Sequence, residues 1–146
     1  MSAYDDLMAF QRQTEALGQV AGRLGWDQET MMPEGAASQR AEEFAAMEAM
    51  LHARRTDPRI GDWLSKIDAI TLEAVPAANI RHISRSYERN QRVPAKLAEA
   101  IARLSSSAQR IWSEARSNED VAAFLPALSD MIALKREEAA ALAEGG

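Results

Sequence analysis

Apolar residues recur at helical spacing along the whole chain, and no stretch alternates in the manner of a strand. From about Ala3 to Leu24, one stripe carries Leu7, Phe10, Leu17, Ala21 and Leu24, with Thr14 in its gap. Gly25 is placed to end that helix. A loop is expected from Trp26 to Gly35, punctuated by Pro33 and Gly35. A second helix, from about Ala36 to Arg55, puts Ala37, Ala41, Phe44, Met47 and Leu51 on one face. Asp57 and Pro58 then suit the N-cap and first position of a short third helix that buries Ile60, Trp63, Leu64 and Ile67. A fourth helix runs from Leu72 or Pro76 to Asn90 on Ile80, Ile83 and Tyr87. Pro94 opens a fifth, with Leu97, Ile101, Leu104, Ala108, Ile111 and Ala115 in three-four spacing. Asn118 is expected to cap a short turn through Phe124. Pro126 is then expected to start a sixth helix on Leu128, Met131, Ile132, Leu134 and Leu142. The pattern predicts an all-α fold: a single domain over residues 1–146, an antiparallel bundle of five to six helices with short loops.

Composition agrees with helix and narrows the function classes. Hydrophobic residues make up 47% of the chain and aromatics only 5%. Alanine, the best helix former, supplies much of the difference. The formal net charge is -5, from 17 basic and 22 acidic side chains, which argues against a nucleic-acid partner. Cysteine is absent, so disulfides and thiol chemistry are excluded. The opening MSAYDDLMAF has acids where a signal peptide needs bases, and no run reaches the roughly 20 apolar residues of a membrane span. The expected address is the cytoplasm, with no membrane partner.

Each constellation that could carry chemistry has a plainer role beside it. The two histidines, His52 and His82, lie far apart in the chain, and Glu48 stands one turn before His52. A catalytic zinc needs three converging protein ligands, and the chain has no HExxH and no cysteine. Both histidines are therefore expected at the surface or boundary, and no metal ligand is assigned. Ser105, Ser106 and Ser107 lack a nucleophile elbow and read as helix-surface serines. No catalytic residue is assigned. In the segment Trp26 to Pro33, Asp27 is expected to accept hydrogen bonds from loop amides or from Thr30, while Trp26 and the methionines fill apolar gaps. Arg81, Arg85, Arg89 and Arg92 form a basic stripe, suited either to a carboxylate or acidic partner or to a solvated face paired with acids such as Glu88.

The run Leu24-Gly25-Trp26-Asp27-Gln28-Glu29-Thr30-Met31-Met32-Pro33, followed by Gly35-Ala36 and Arg40-Ala41-Glu42, resembles the N-terminal signature of the carboxypeptidase Taq family of metallocarboxypeptidases. The resemblance continues through Thr56-Asp57-Pro58-Arg59-Ile60-Gly61, Tyr87-Glu88-Arg89, Arg92-Val93-Pro94, Trp112-Ser113-Glu114-Ala115-Arg116 and Leu134-Lys135-Arg136-Glu137. It covers nearly the whole chain.

The resemblance implies a longer, almost wholly helical parent. In that parent, HExxH and a downstream glutamate hold zinc or another divalent metal in a groove. The motif's own glutamate activates the metal-bound water, and C-terminal amino acids are released from peptide substrates. The family's N-terminal helices wall and cap the groove, and the family suggests homodimers. All of the family's metal and catalytic motifs lie C-terminal to anything present in this chain. Only the structural signature carries over, as Trp26, Asp27, Thr30, Met32 and Pro33.

The chain stops just after a helix, at Glu144-Gly145-Gly146, and so resembles a truncation, a proteolytic remnant or a gene product lacking its catalytic half. An inactive N-terminal domain of a metallocarboxypeptidase is the expected function, with exposed apolar area at Met31, Met32, Trp63 and Trp112. The alternative is an independent helical interaction module pairing through helices 1 and 5. A third reading is an enzyme in its own right, built from Asp27, Glu29, Glu48 and His52.

Overall fold

The computed structural model describes residues 2–143, and the terminal Glu144-Gly145-Gly146 lies outside them. The described residues form six α-helices: α1 Ala3–Thr30, α2 Ala37–Arg55, α3 Pro58–Leu64, α4 Ala74–Arg92, α5 Ala95–Ser117 and α6 Val121–Ala143. Single 3₁₀ turns stand at Glu34–Ala36 and Ala69–Thr71, and no strand occurs among the described residues.

The helix starts follow the local chemistry. Ser2 and Asp5 cap α1 reciprocally, each side chain satisfying an orphan amide of the first turn. Asp57 caps α3 by accepting from the Arg59 amide at 2.9 Å, with Pro58 at the first position. The Pro94 carbonyl receives the Leu97 and Ala98 amides at the head of α5.

Two boundaries differ from expectation. Gly25 does not end α1, which runs on to Thr30. Gly25 has an ordinary negative φ, and a Cβ there would stand 3.9 Å from the Phe44 ring of α2. Gly25 therefore lies inside the helix, facing α2. The actual stop comes where the amides of Met31 and Met32 both turn back to the Asp27 carbonyl, just before Pro33. Likewise, α6 begins at Val121 and contains Pro126. The Asp120 carboxylate accepts the Ala123 amide at 3.1 Å and starts the helix, so Pro126 lies in its second turn rather than at its head. Asn118 closes α5, its amide bonding the Glu114 carbonyl, and Glu119 turns the corner at φ 54.

The interior has two parts. Leu7 and Phe10 of α1, Ile60 of α3 and Ile80 of α4 form one apolar cluster, flanked by Tyr4, Trp63, Leu64 and Tyr87. Phe10 and Trp63 meet at a centroid distance of 5.6 Å. Fully burying a side chain such as Leu7 or Ile60 contributes about 1.5–3 kcal/mol each. The second part lies among α2, α5 and α6, where Ala41, Ala45, Ala115 and Ala127 are buried together with Leu97. Small residues there let the helices lie close together.

Thr14 belongs to the α1 stripe for a polar reason. Its buried hydroxyl donates to the Phe10 carbonyl and accepts from Arg54 Nε, and the Arg54 guanidinium lies 4.0 Å from the Phe10 ring centroid.

Candidate functional site

The signature residues lie on the last turn of α1 and the short link to α2. Trp26, Asp27 and Thr30 are helical, contrary to the expected loop, and Met32 and Pro33 follow the helix end. Trp26 and Met31 fill no gap, being 64% and 68% exposed, while Met32 is half-buried. Asp27 does not take loop amides or Thr30 as its partners. Its carboxylate accepts from Arg40 of α2, and the Thr30 hydroxyl donates to the Trp26 carbonyl at 2.7 Å.

Arg40 organises this region. Its guanidinium donates to the Leu24 carbonyl and the Asp27 carboxylate on α1, and at 2.7 Å to Glu43 on its own helix. The Asp27 carboxylate beside it holds the guanidinium pKa above its ordinary value. A planar fork is the side chain that can serve three acceptors at once.

A second set of polar pairs joins α1 to α5. The Ser106 hydroxyl donates to Gln28 Oε1 at 2.6 Å, and Gln28 Nε2 returns a longer bond to the Ser106 carbonyl at 3.4 Å. Gln109 Nε2 donates to Glu29 at 2.9 Å, and Arg110 reaches the Glu34 carbonyl at 3.1 Å. These groups border a cleft of about 240 Å³ between the end of α1 and α5. Ser106 is thus buried rather than one of three surface serines. Neither Arg40 nor the Gln28–Ser106 pair was assigned a role from sequence. Arg40 stood inside the signature run, whereas nothing local marks a pair separated by 78 positions.

The groups weighed for metal or acid–base work are taken up elsewhere. His52 is buried, not at the boundary, and its Nε2 lies 2.7 Å from the Val93 carbonyl. That contact ties the end of α2 to the α4–α5 junction. Glu48 receives Arg55 on both oxygens, at 3.0 and 3.3 Å. His82 is exposed on α4. Asp27, Glu29, Glu48 and His52 therefore do not converge. No group of three metal-ligating side chains forms among the described residues, so these residues do not fit a zinc centre.

Arg81, Arg85, Arg89 and Arg92 are exposed along α4. Arg92 donates to the Leu142 carbonyl at 3.1 Å, tying α4 to the end of α6. Glu88 accepts from the Ser84 hydroxyl at 3.2 Å. No helix among the described residues is long and apolar enough to cross a membrane.

Comparison with known proteins gives a consistent result. The profile of the Carboxypeptidase Taq (M32) metallopeptidase family matches residues 6–146. Thermostable carboxypeptidase 1 of Thermus thermophilus is 40% identical over 145 residues, which is 97% of this chain but 28% of that protein. Among solved structures, Trypanosoma cruzi metallocarboxypeptidase 1 superposes with a TM-score of 0.70 at 28% identity, over 95% of this chain and 28% of its own. The BsuCP crystal structure superposes with a TM-score of 0.90 over 96% of this chain and 29% of its own; at 18% identity it speaks to the fold alone.

Proposed function

The chain belongs to the carboxypeptidase Taq (M32) metallopeptidase family, and from that premise we propose that it is the N-terminal helical domain of a zinc-dependent metallocarboxypeptidase, inactive by itself. It spans about 28% of the length of the Thermus relative it matches. In this reading the parent releases C-terminal amino acids from peptides in the cytoplasm. Its metal and its water-activating carboxylate are supplied by residues beyond those present here.

One observation carries the reading. The acids and the imidazole that could have begun a site are committed to the scaffold: Asp27 to Arg40, Glu29 to Gln109, Glu48 to Arg55 and His52 to Val93. What these residues do is brace helices. The clamps at Arg40 and Ser106 fix the end of α1 against α2 and α5, as a wall bounding a substrate groove requires.

Exposed apolar area is part of the same reading. Met31 and Trp112 are exposed as expected, whereas Trp63 packs on Phe10 and Met32 is half-buried. The stripe Arg81, Arg85, Arg89 and Arg92 is assigned to a carboxylate or acidic partner, and the parent is read as a homodimer.

The test is a chimera in which this chain replaces the matched segment of the Thermus relative. The chimera is expected to release C-terminal amino acids from a peptide, and the isolated chain with added zinc to release none. Peptidase activity of the isolated chain would contradict the proposal.

A further inference from the structure

Helix α6 is apolar on two neighbouring faces, and this chain covers one of them. Phe124, Ala127 and Met131 turn toward α5 and line the groove between the two helices with Trp112 and Leu128, and Leu134 lies further along, beside Leu97 and Ala100 of α5. The other face carries Val121, Leu125 and Ile132, with Leu128 on the edge that it shares with the groove, in four-three-four spacing. These four side chains are between 38% and 70% exposed. Trp112 of α5, 40% exposed, stands beside Leu128 at the edge of the stripe, with the Arg116 guanidinium 5.5 Å from its ring centroid. A helix that is apolar over so wide an arc is normally an interior helix of a larger protein. A contiguous apolar stripe with an aromatic anchor and an arginine at its rim has the make-up of an interface centre.

We infer that the Val121–Leu125–Leu128–Ile132 stripe of α6, with Trp112, is the docking face for an apolar helix of the catalytic portion of the parent enzyme. This rests on the reading that the chain is the N-terminal domain of a longer metallocarboxypeptidase. The occupant follows from the lengths. The chain is matched over 97% of itself, yet it accounts for 28% of the Thermus relative. Most of that protein lies outside the matched segment and is the source of the covering helix. Spacing of four and three is the pattern that a facing helix reads by interdigitation. The stripe needs a lengthwise apolar partner, not a charged or extended one.

The test uses the same Thermus chimera with Trp26→Phe and Trp63→Phe, which leaves Trp112 as the reporter within this chain's part; tryptophans of the Thermus part are subtracted with a Trp112→Phe control. In the active chimera, iodide quenching of Trp112 is expected to fall several-fold relative to the isolated chain, and its emission to shift to shorter wavelength. Leu128→Glu with Ile132→Glu is expected to abolish activity in the chimera. In the isolated chain the same pair should leave the helical circular dichroism unchanged and remove most binding of a hydrophobic dye.

An active chimera whose Trp112 quenches as freely as in the isolated chain overturns this proposal and leaves the parent reading standing. An inactive chimera, beside an active Thermus enzyme prepared in the same way, overturns the parent reading and this proposal with it. Protection of Trp112 that is lost on dilution to monomer gives the face to a second copy instead. Unchanged dye binding by the glutamate pair shows that the stripe is not the principal exposed apolar face, and overturns the proposal in the isolated chain as well.

Discussion

Gln28 and Ser106 bind each other twice across the junction of α1 and α5. The Ser106 hydroxyl donates to the Gln28 side-chain oxygen at 2.6 Å, and the Gln28 amide reaches back to the Ser106 carbonyl. Ser106 is buried, so its hydroxyl cannot exchange this bond freely for water. Ser106→Ala removes the shorter bond and leaves the Gln28 oxygen without it, at a cost of about 1–2 kcal/mol in a urea titration. A double-mutant cycle with Gln28→Ala should return a positive coupling energy. Additive effects would mean that the two residues act separately.

Arg40 is the stronger clamp. Its side chain is 11% exposed, and its guanidinium serves Leu24, Asp27 and Glu43 together. Arg40→Ala is expected to destabilise the chain by about 1.5–3 kcal/mol, the range for hydrogen bonds to charged groups. Arg40→Lys should recover little of this, because an ammonium cannot reproduce the planar fork. Full recovery by lysine would reduce the clamp to simple charge attraction.

Gly25 lies inside α1 with ordinary helical φ, and a Cβ would meet Phe44 at a normal contact distance. Gly25→Ala is therefore expected to stabilise the chain by about 0.5–1 kcal/mol through helix propensity. The melting temperature decides. A fall would mean that Gly25 adopts a conformation only glycine allows, as a helix terminator would.

The end of α1 and the start of α6 depart from the local pattern for one reason. Glycine and proline punctuate a sequence strongly, but the boundary is set by which amides find partners. Past Gly25 the helix continues to Thr30 and stops where the Met31 and Met32 amides both return to the Asp27 carbonyl, a choice that the glycine does not signal. Near Pro126, the cap at Asp120 stands six residues earlier and starts the helix before the proline is reached. The helical fold, the α3 start at Asp57-Pro58 and the stripe of α1 were legible because caps and three-four spacing are local. The clamps at Arg40 and Ser106, the burial of His52 and the bare face of α6 were not. Each depends on contacts between residues distant in sequence, or on the absence of a covering helix.

Acid should weaken the fold in a definite direction. The Arg59 guanidinium hydrogen-bonded to Asp57 holds that carboxyl below its ordinary value of 3.8, and Arg103 does the same for Glu42, below 4.5. A carboxyl with a depressed folded pKa binds more protons when unfolded. Its stabilisation is therefore complete above the ordinary value and is lost as pH falls through the depressed one. The contribution of these two carboxylates should be constant down to about pH 5 and decline below pH 4.5. Asp57→Asn should make that acid limb shallower. An unchanged limb would show that the Asp57–Arg59 pair contributes nothing to it.

The most direct test of the central claim, that this chain braces a metallopeptidase without holding its metal, is calorimetric titration of the purified chain with zinc at neutral pH. Expected is weak, non-stoichiometric heat that His52→Ala does not alter, since His52 is engaged with the Val93 carbonyl and Glu48 with Arg55. Tight one-to-one binding that His52→Ala abolishes would contradict it.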